Sequence, residues 1–311
     1  MQFSVIIPAK NAAGFLATAI MSALNQVETT VEVIVVDDGS TDETAHVADE
    51  IRKRDDRLVM LNNPISVGVS AARNQAIAAA QGEWIAVLDA DDEFLPGRLS
   101  RMVQEAEHRA LDMFADNLVL RSEASEDLGV AFPETELQGQ SPVSLDVFLL
   151  HDIPRMQPMG VGYCKPIIKK EFLKNSGVNY REDVSCAEDF LFYTECLMAG
   201  AKFGFSKTAG YVYTVRSGGH GTSFNLQASK VNRLITEAAK TMKPSAIPIL
   251  QMRQRAIDYD AFTKSIRASQ YSEALVSLFR LPPSFIARRA ATIAVKRAKR
   301  LVMPINTNPR K

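Results

Sequence analysis

The sequence predicts an α/β fold with a mainly parallel central sheet flanked by helices, followed by a helical C-terminal extension. Three observations carry this expectation. Between Ser4 and Asp92, short apolar runs alternate with segments of helical periodicity, the alternation that builds right-handed strand–helix–strand crossovers. Each run is bounded by glycine, proline or a polar cluster, as short buried strands are. From Phe224 onward the pattern is helical.

Ser4–Ile7 reads as the first strand, stopped by Pro8, which lacks a backbone donor. Ala12–Leu24 follows with the i, i+3, i+4 spacing of an amphipathic helix, then Glu32–Val36 as a second strand. Asp42–Arg54 is the second helix. Ser40-Thr-Asp-Glu43 has the form of a capping box, in which Ser40 and Glu43 satisfy exposed backbone donors at the helix start. A third strand over Arg57–Leu61 leads to a helix over Val69–Ala80, closed by Gly82 in the manner of a C′ glycine. Trp84–Leu88 is apolar throughout and reads as a fourth, buried strand with Trp84 in the core. Beyond Pro96 a helix is expected to about Ala110, then a strand over Asp112–Leu120. Ser122–Pro142 is acidic and turn-rich, a loop or hairpin. Glu188–Ala199 reads as a helix and Lys202–Val215 as one or two strands.

A chain of 311 residues has room for one large or two modest cores. Its formal net charge is zero, which gives no support to nucleic-acid binding over the whole surface. Cys164, Cys186 and Cys196 are odd in number and lack Cys-x-x-Cys spacing, so they are expected as packing residues in a reducing compartment. The four histidines show no zinc-site spacing. No apolar run approaches the roughly 20 residues that span a bilayer. Met1–Pro8 lacks the basic flank and length of a signal peptide, so a cytoplasmic location is expected.

Chemistry concentrates where strands end. Asp89-Ala-Asp91-Asp92 places three carboxylates directly after the fourth strand. Pro8-Ala9-Lys10-Asn11 follows the first strand, Asp37–Asp42 the second, and Gly68–Asn74 opens the helix after the third. In a parallel sheet these carboxyl ends share one crevice, where open α/β sheets bind ligands. Asp38 is placed to accept an N–H from a base; Arg73 either stacks on a ring or balances the nearby carboxylates. Carboxylate oxygens suit Mg2+ or Mn2+, which commonly bridge them to substrate phosphates; a solvated turn is the plain alternative. No Gly-x-Gly-x-x-Gly and no Gly-Lys-Ser/Thr phosphate loop follows any strand, so phosphate binding falls to a cation.

Val35-Val-Asp-Asp-Gly-Ser-Thr-Asp42, Gly68–Asn74 and Val87-Leu-Asp-Ala-Asp-Asp92 resemble the signature of family 2 inverting glycosyltransferases, which have the GT-A fold. The resemblance is strong over Ser4–Asp92 and resumes weakly at Lys165–Leu173 and at Ala187-Glu-Asp-Phe190. It implies a glycosyltransferase domain over 1–222, with a nucleotide-sugar part (1–112) and an acceptor part (113–222), and a helical region over 223–311. It also implies roles. Pro8, Ala9, Asn11, Asp38 and Arg73 would contact the nucleotide, with Asp89 near the ribose or sugar. Asp91 would hold a divalent cation, Mn2+ or Mg2+, on the diphosphate, with His220 as a further ligand. Arg216 would contact the diphosphate and Asp189 would be the catalytic base. The implied donor is UDP-glucose or UDP-galactose. The implied acceptor is a lipid-linked oligosaccharide of bacterial exopolysaccharide assembly, of succinoglycan type.

Two departures from the family pattern matter. Ala76 stands where a glycine is common. The Gln/Arg-x-x-Arg-Trp motif of processive synthases is absent, and Tyr213-Thr-Val-Arg216 leads instead into a glycine-rich stretch through His220, which argues for one sugar per acceptor. Two other readings compete. A sugar-phosphate nucleotidyltransferase would need a glycine-rich N-terminal loop that Phe3–Asn11 does not supply. A catalytically retired scaffold would have lost a metal or base carboxylate, and both candidates are present.

The last segment carries a separate signal. Leu281–Lys311 contains Arg288, Arg289, Lys296, Arg297, Lys299 and Arg300 and no acidic residue. Ile286, Ala290, Ile293, Ala294, Leu301 and Val302 interleave with them at near-helical spacing. This pattern suits peripheral contact with an anionic membrane, here the inner face of the cytoplasmic membrane, each cation near the surface contributing on the order of 1 kcal/mol. Truncation after Leu281 is expected to lower the fraction that sediments with anionic vesicles several-fold; unchanged sedimentation would contradict the assignment.

Overall fold

The computed structural model describes residues 2–132, 137, 142–156, 159–216 and 222–283. Strand–helix alternation opens the chain: β1 (Phe3–Ala9), α1 (Leu16–Leu24), β2 (Val31–Asp38), α2 (Thr44–Arg52), β3 (Leu58–Asn63), α3 (Val69–Ala79) and β4 (Trp84–Val87). Then come β5 (Glu93–Phe94), α4 (Arg98–His108), β6 (Met113–Ser122), β7 (Asp127–Val130) and α5 (Leu145–Leu150). The remainder is β8 (Ile167–Lys169), α6 (Lys170–Ser176), α7 (Glu188–Met198), β9 (Phe203–Val215), α8 (Thr222–Met242), α9 (Ile247–Arg267) and α10 (Tyr271–Phe279).

All strands join one sheet in the order β3-β2-β1-β4-β8-β6-β9-β5, with β7 paired to β6. The first four are parallel, as the alternation predicts. The second half is mixed. β8 runs antiparallel to both β4 and β6, β6 and β9 are parallel, and β5 is antiparallel to β9. The expectation of a mainly parallel sheet therefore holds only for the first half, because β8 enters between β4 and β6 antiparallel to both. Ser122–Pro142 contains the hairpin option, β7 pairing antiparallel with β6.

β1, β2 and β4 are buried almost continuously, the pattern of parallel strands covered on both faces. Trp84 is core, as expected. The small face of α3, including Ala72 and Ala76, is fully buried, so the helix lies close against β1 and β2. The registers Pro8↔Val36 and Asp38↔Asn63 bring the carboxyl ends of β1, β2 and β3 to one edge.

Two local expectations are corrected. Ser40 does not cap α2, which starts at Thr44; Asp42 Oδ1 accepts the Thr44 N–H at 3.0 Å, and Ser40 Oγ instead accepts the Asn11 N–H at 3.0 Å. Competition from a loop across the sheet edge overrides the local box. Gly82 is not a C′ glycine either, since α3 ends at Ala79 with Ala80 as its cap. Gly82 is needed for space: its N–H donates to Ser4 Oγ at 2.8 Å, and a Cβ would stand 2.5 Å from the Phe3 carbonyl carbon.

The first compact unit, Met1–Gln254, takes in α8, which the sequence reading assigned to a separate region starting at 223. Val231, Ile235 and Ala239 of α8 are buried in its core. The second unit, Arg255–Lys311, holds the end of α9 and α10; the basic segment after Pro283 lies outside the described residues. Among the described residues no helix is long and apolar enough to cross a membrane. Gly82→Ala is expected to lower unfolding free energy by about 1–3 kcal/mol, read from the urea midpoint, because the added methyl meets backbone.

Candidate active site

Arg73 sits one turn into α3 and is 2% exposed. A buried guanidinium requires anionic partners, and three converge on it. Its Nη2 donates to Asp89 Oδ1 at 2.8 Å, and its Nη1 donates to Glu188 Oε1 at 2.8 Å and Asp189 Oδ1 at 2.9 Å. Both roles the sequence left open for Arg73 are present: it balances these carboxylates, and its guanidinium lies 5.1 Å over the Tyr180 ring. A second buried cation, Lys165, bridges the same carboxylates: Nζ lies 2.8 Å from Asp89 Oδ2 and 2.5 Å from Asp189 Oδ2. Tyr180 completes the cluster, its hydroxyl donating to Asp189 Oδ1 at 3.0 Å.

Lys165 was not singled out from sequence. It stands just ahead of β8, and nothing local marks it off from Lys169 and Lys170. Only the insertion of β8 beside β4 brings it to Asp89. Burial works against charge on Asp89, but Lys165 and Arg73 outweigh it and hold the carboxyl well below the usual range. Burial also opposes charge on Lys165, and Asp189 and Asp89 reverse that, so the amine stays protonated.

α7 delivers Glu188 and Asp189 from its first turn, where the helix dipole favours negative charge. The residue before them, Ala187, has φ 59°, a left-handed conformation costing a non-glycine residue roughly 1–2 kcal/mol. That local cost is held by the ion pairs of Glu188 and Asp189, which follow it.

Asp91 and Asp92 diverge. Asp91 remains partly exposed, and Arg216, half exposed, pairs with its Oδ2 at 2.8 Å while lying 5.1 Å over the Phe15 ring. Burial, then the Asp89 charge, push the Asp91 carboxyl up. Asp92 turns inward, accepting the Tyr211 hydroxyl at 2.7 Å and the Thr214 N–H at 2.8 Å. Tyr211 in turn accepts the Asp89 N–H at 3.1 Å. The sequence left Asp92 without a role; it ties the aspartate loop to β9.

The loop expectations divide. Asp38 accepts four donors, from Ser66 Oγ, the Val67 and Gly68 N–H groups and Asn63. Burial would raise its carboxyl, but these bonds win and hold it below the ordinary value. Asp38 also lines a cavity of about 340 Å³ with Pro8, Ala9, Gly68, Ser70 and Val184. Asn11 does not line it; its Oδ1 accepts the Thr41 N–H at 2.8 Å, lacing the first two loops. A second cavity, about 200 Å³, is lined by Arg73, Asp89, Lys165, Glu188 and Asp189. His220 lies outside the described residues. Among those described, no group of three or more His, Cys, Asp or Glu side chains is arranged to hold a metal by itself.

The sequence of residues 4–140 matches the family model described as Glycosyl transferase family 2. This segment belongs to that family. The glycosyltransferase segment extends into wider likeness with named proteins. The chain is 36% identical over 213 residues to the succinoglycan biosynthesis protein ExoO of Rhizobium meliloti (strain 1021), covering 68% of this chain and 60% of that protein. It is 32% identical over 179 residues to the GalNAc(5)-diNAcBac-PP-undecaprenol beta-1,3-glucosyltransferase of Campylobacter jejuni, covering 57% and 55%. The chain thus spans less than two thirds of the length of these relatives. The crystal structure of S. aureus TarS 1–349 in complex with UDP-GlcNAc superposes with a TM-score of 0.68 at 20% identity, over 89% of this chain and 80% of that one. At that identity the likeness concerns the fold, which is GT-A.

The inward turn of Asp92 has a pH consequence. Burial, with Asp89 and Asp91 beside it, pushes its carboxyl up to about 8, against about 3.9 in an unfolded chain. Between those values the folded state binds more protons than the unfolded one. Stability therefore falls as pH rises through the window, by at most about 1.4 kcal/mol per pH unit. In the absence of divalent cations, Asp92→Asn is expected to flatten the fall in Tm between pH 5 and 8; parallel Tm curves would contradict this.

Proposed function

We propose that the chain is an inverting, divalent-cation-dependent glycosyltransferase that moves one hexose from a UDP-sugar to a lipid-linked acceptor. The observation that supports it most directly is the Arg73–Lys165 bridge, which joins Asp89, on the aspartate loop, to Asp189, on α7, at the wall of one cavity. A displacement needs these two functions side by side: a group near the departing diphosphate and a base for the attacking hydroxyl.

Pro8, Ala9 and Asp38 bound the larger cavity, which in this reading takes the nucleotide. Asp89 faces the donor sugar or ribose, and Arg216 is in reach of the diphosphate. The donor set suits a hard cation. Asp91 is a partly exposed carboxylate of the loop, its ionisation opposed by burial and by Asp89, an imbalance that positive charge relieves. Mg2+ and Mn2+ are commonly held by one or two carboxylates plus substrate phosphates, so a complete protein cage is not required. Bound at Asp91, such a cation would supply Lewis-acid stabilisation of the leaving diphosphate. His220 is a further candidate ligand.

Asp189 accepts the proton of the acceptor hydroxyl. Asp89, Glu188 and Asp189 against Arg73 and Lys165 leave the cluster at a formal charge of −1, so one proton brings it to neutrality. Tyr180, Arg73 and Lys165 hold the carboxylate in one orientation, which keeps it in hydrogen-bond reach of the hydroxyl. No covalent nucleophile is needed for a single displacement with inversion.

The names of ExoO and of the undecaprenol-linked glucosyltransferase support an acceptor carried on a lipid in bacterial polysaccharide assembly. The basic C-terminal segment supports peripheral attachment to the membrane where such acceptors reside.

With UDP-glucose or UDP-galactose and Mn2+, the chain is expected to release UDP. Asp91→Asn should abolish the metal-dependent rate, and Asp189→Asn should lower kcat by roughly 10²–10⁴ with little change in donor KM. Turnover that survives Asp91→Asn, or that is indifferent to metal, would overturn the mechanism.

A further inference from the structure

We propose that the cavity of about 200 Å³ beside Asp189 is a subsite for a neutral sugar ring, held by the ion pair Asp152–Arg253. This rests on the glycosyltransferase reading above and adds to it the charge class of the acceptor and the residues that select it.

The pair lines the same cavity as Asp189 and belongs to none of the sequence motifs. Arg253, on α9, donates from Nη2 to Asp152 Oδ2 at 2.7 Å, and its guanidinium lies 4.0 Å over the Phe190 ring. Phe190 directly follows Asp189, so the pair is packed against the turn that carries the base. Asp152 Oδ1 accepts the Gly162 N–H at 3.0 Å. A carboxylate offers about four lone-pair sites, so capacity remains for sugar hydroxyls.

The surrounding chain is shaped to seat this carboxylate. A Cβ on Gly160 would collide with Asp152 Oδ1, and one on Gly162 would lie 2.7 Å from Phe190 Cβ and 3.2 Å from Asp152 Oδ1. Neither glycine has a positive φ, so space, not backbone freedom, is what both supply. Tyr163 and Tyr213 add an apolar wall, their rings meeting edge to face at 5.8 Å. Convergent polar groups with aromatic surface are the lining that a sugar, hydroxylated at its rim and apolar on its ring face, requires.

The charge balance selects neutrality. Each cation of the cavity already has a carboxylate close by: Arg73 has Asp89 at 2.8 Å, Lys165 has Asp189 at 2.5 Å and Arg253 has Asp152 at 2.7 Å. With Glu188 the lining holds four carboxylates against three cations. A uronic acid or phosphorylated sugar would bring an anion to a site with no uncommitted positive charge. Hydroxyls can share the existing groups without breaking a pair.

The test uses the full chain with UDP-glucose, Mn2+ and three acceptor probes: octyl β-glucoside, octyl β-galactoside and octyl β-glucuronide. A neutral glycoside is expected to be extended with kcat/KM at least tenfold above the glucuronide. Asp152→Asn should raise the KM for the neutral acceptor roughly 10- to 100-fold while donor KM stays unmoved, a split that a merely structural tie would not produce. Loss of a buried charge can unfold a variant, so binding is also read in the unmutated chain. Cys186 lines the cavity and is part-exposed, whereas Cys164 and Cys196 are buried, so maleimide labelling of Cys186 reports occupancy. Neutral glycosides should slow that labelling and the glucuronide should not. Equal use of or protection by the glucuronide, no protection by either neutral glycoside, or an unchanged acceptor KM in Asp152→Asn overturns the assignment. Failure of the underlying reading shows separately, as no UDP release from any UDP-sugar while Cys186 protection persists.

Discussion

Two buried cations held among three carboxylates are the constraint on which the rest of this structure depends. Arg73 and Lys165 are almost fully removed from water, and a charge in that position is strongly unfavourable unless opposite charge meets it directly. Their partners come from the end of β4 and the first turn of α7, up to 116 residues away in sequence. Removing either cation leaves buried carboxylate charge uncompensated. The cluster therefore locks the parallel half of the sheet to the later half, and does so at the place where the chemistry is proposed.

A second network supports the first. Arg98, fully buried at the start of α4, grips Asp116 of β6 and donates to the Lys165 carbonyl at 2.6 Å. Its guanidinium lies 5.2 Å over the Tyr211 ring. Tyr211 in turn bonds both the Asp89 N–H and the Asp92 carboxylate. One side chain thus sets the backbone of Lys165 and the ring that shapes the aspartate loop. Because the donors on Asp89 and Asp189 are themselves anchored, the two carboxylates are held in place before any ligand arrives, and less ordering entropy is lost on binding.

The same arrangement separates two spaces. Asp38, Pro8 and Gly68 face the larger cavity; Asp189, Asp152 and Arg253 face the smaller. Arg73 and Lys165 lie at the smaller one with Asp89 and Asp189, and none of these four lines the larger. Asp91 stays outside this cluster, partly exposed and, among the described residues, paired with the half-exposed Arg216.

The parallel half of the fold was legible because its signals are local. Apolar runs bounded by Pro8 and Gly82 and helices of small residues specify strands and crossovers within a few residues of their true ends. Asp89, Asp91 and Asp189 were legible for a similar reason, lying in short ordered motifs at strand and helix ends. Ser40 and Gly82 show where local reading fails: each has a plausible helix-end role that a contact across the sheet, with Asn11 or Ser4, overrides. Asp152 and Arg253 had no local signal at all, and Lys165 only the weak resemblance over Lys165–Leu173. The sequence by itself determined the alternating strands and helices of the first half, the carboxylate-bearing loops and, over residues 4–140, the family. Only tertiary structure decided which cations meet those carboxylates, because compensating a buried charge is a question of three-dimensional proximity, and pairs far apart along the chain leave no periodic trace in it.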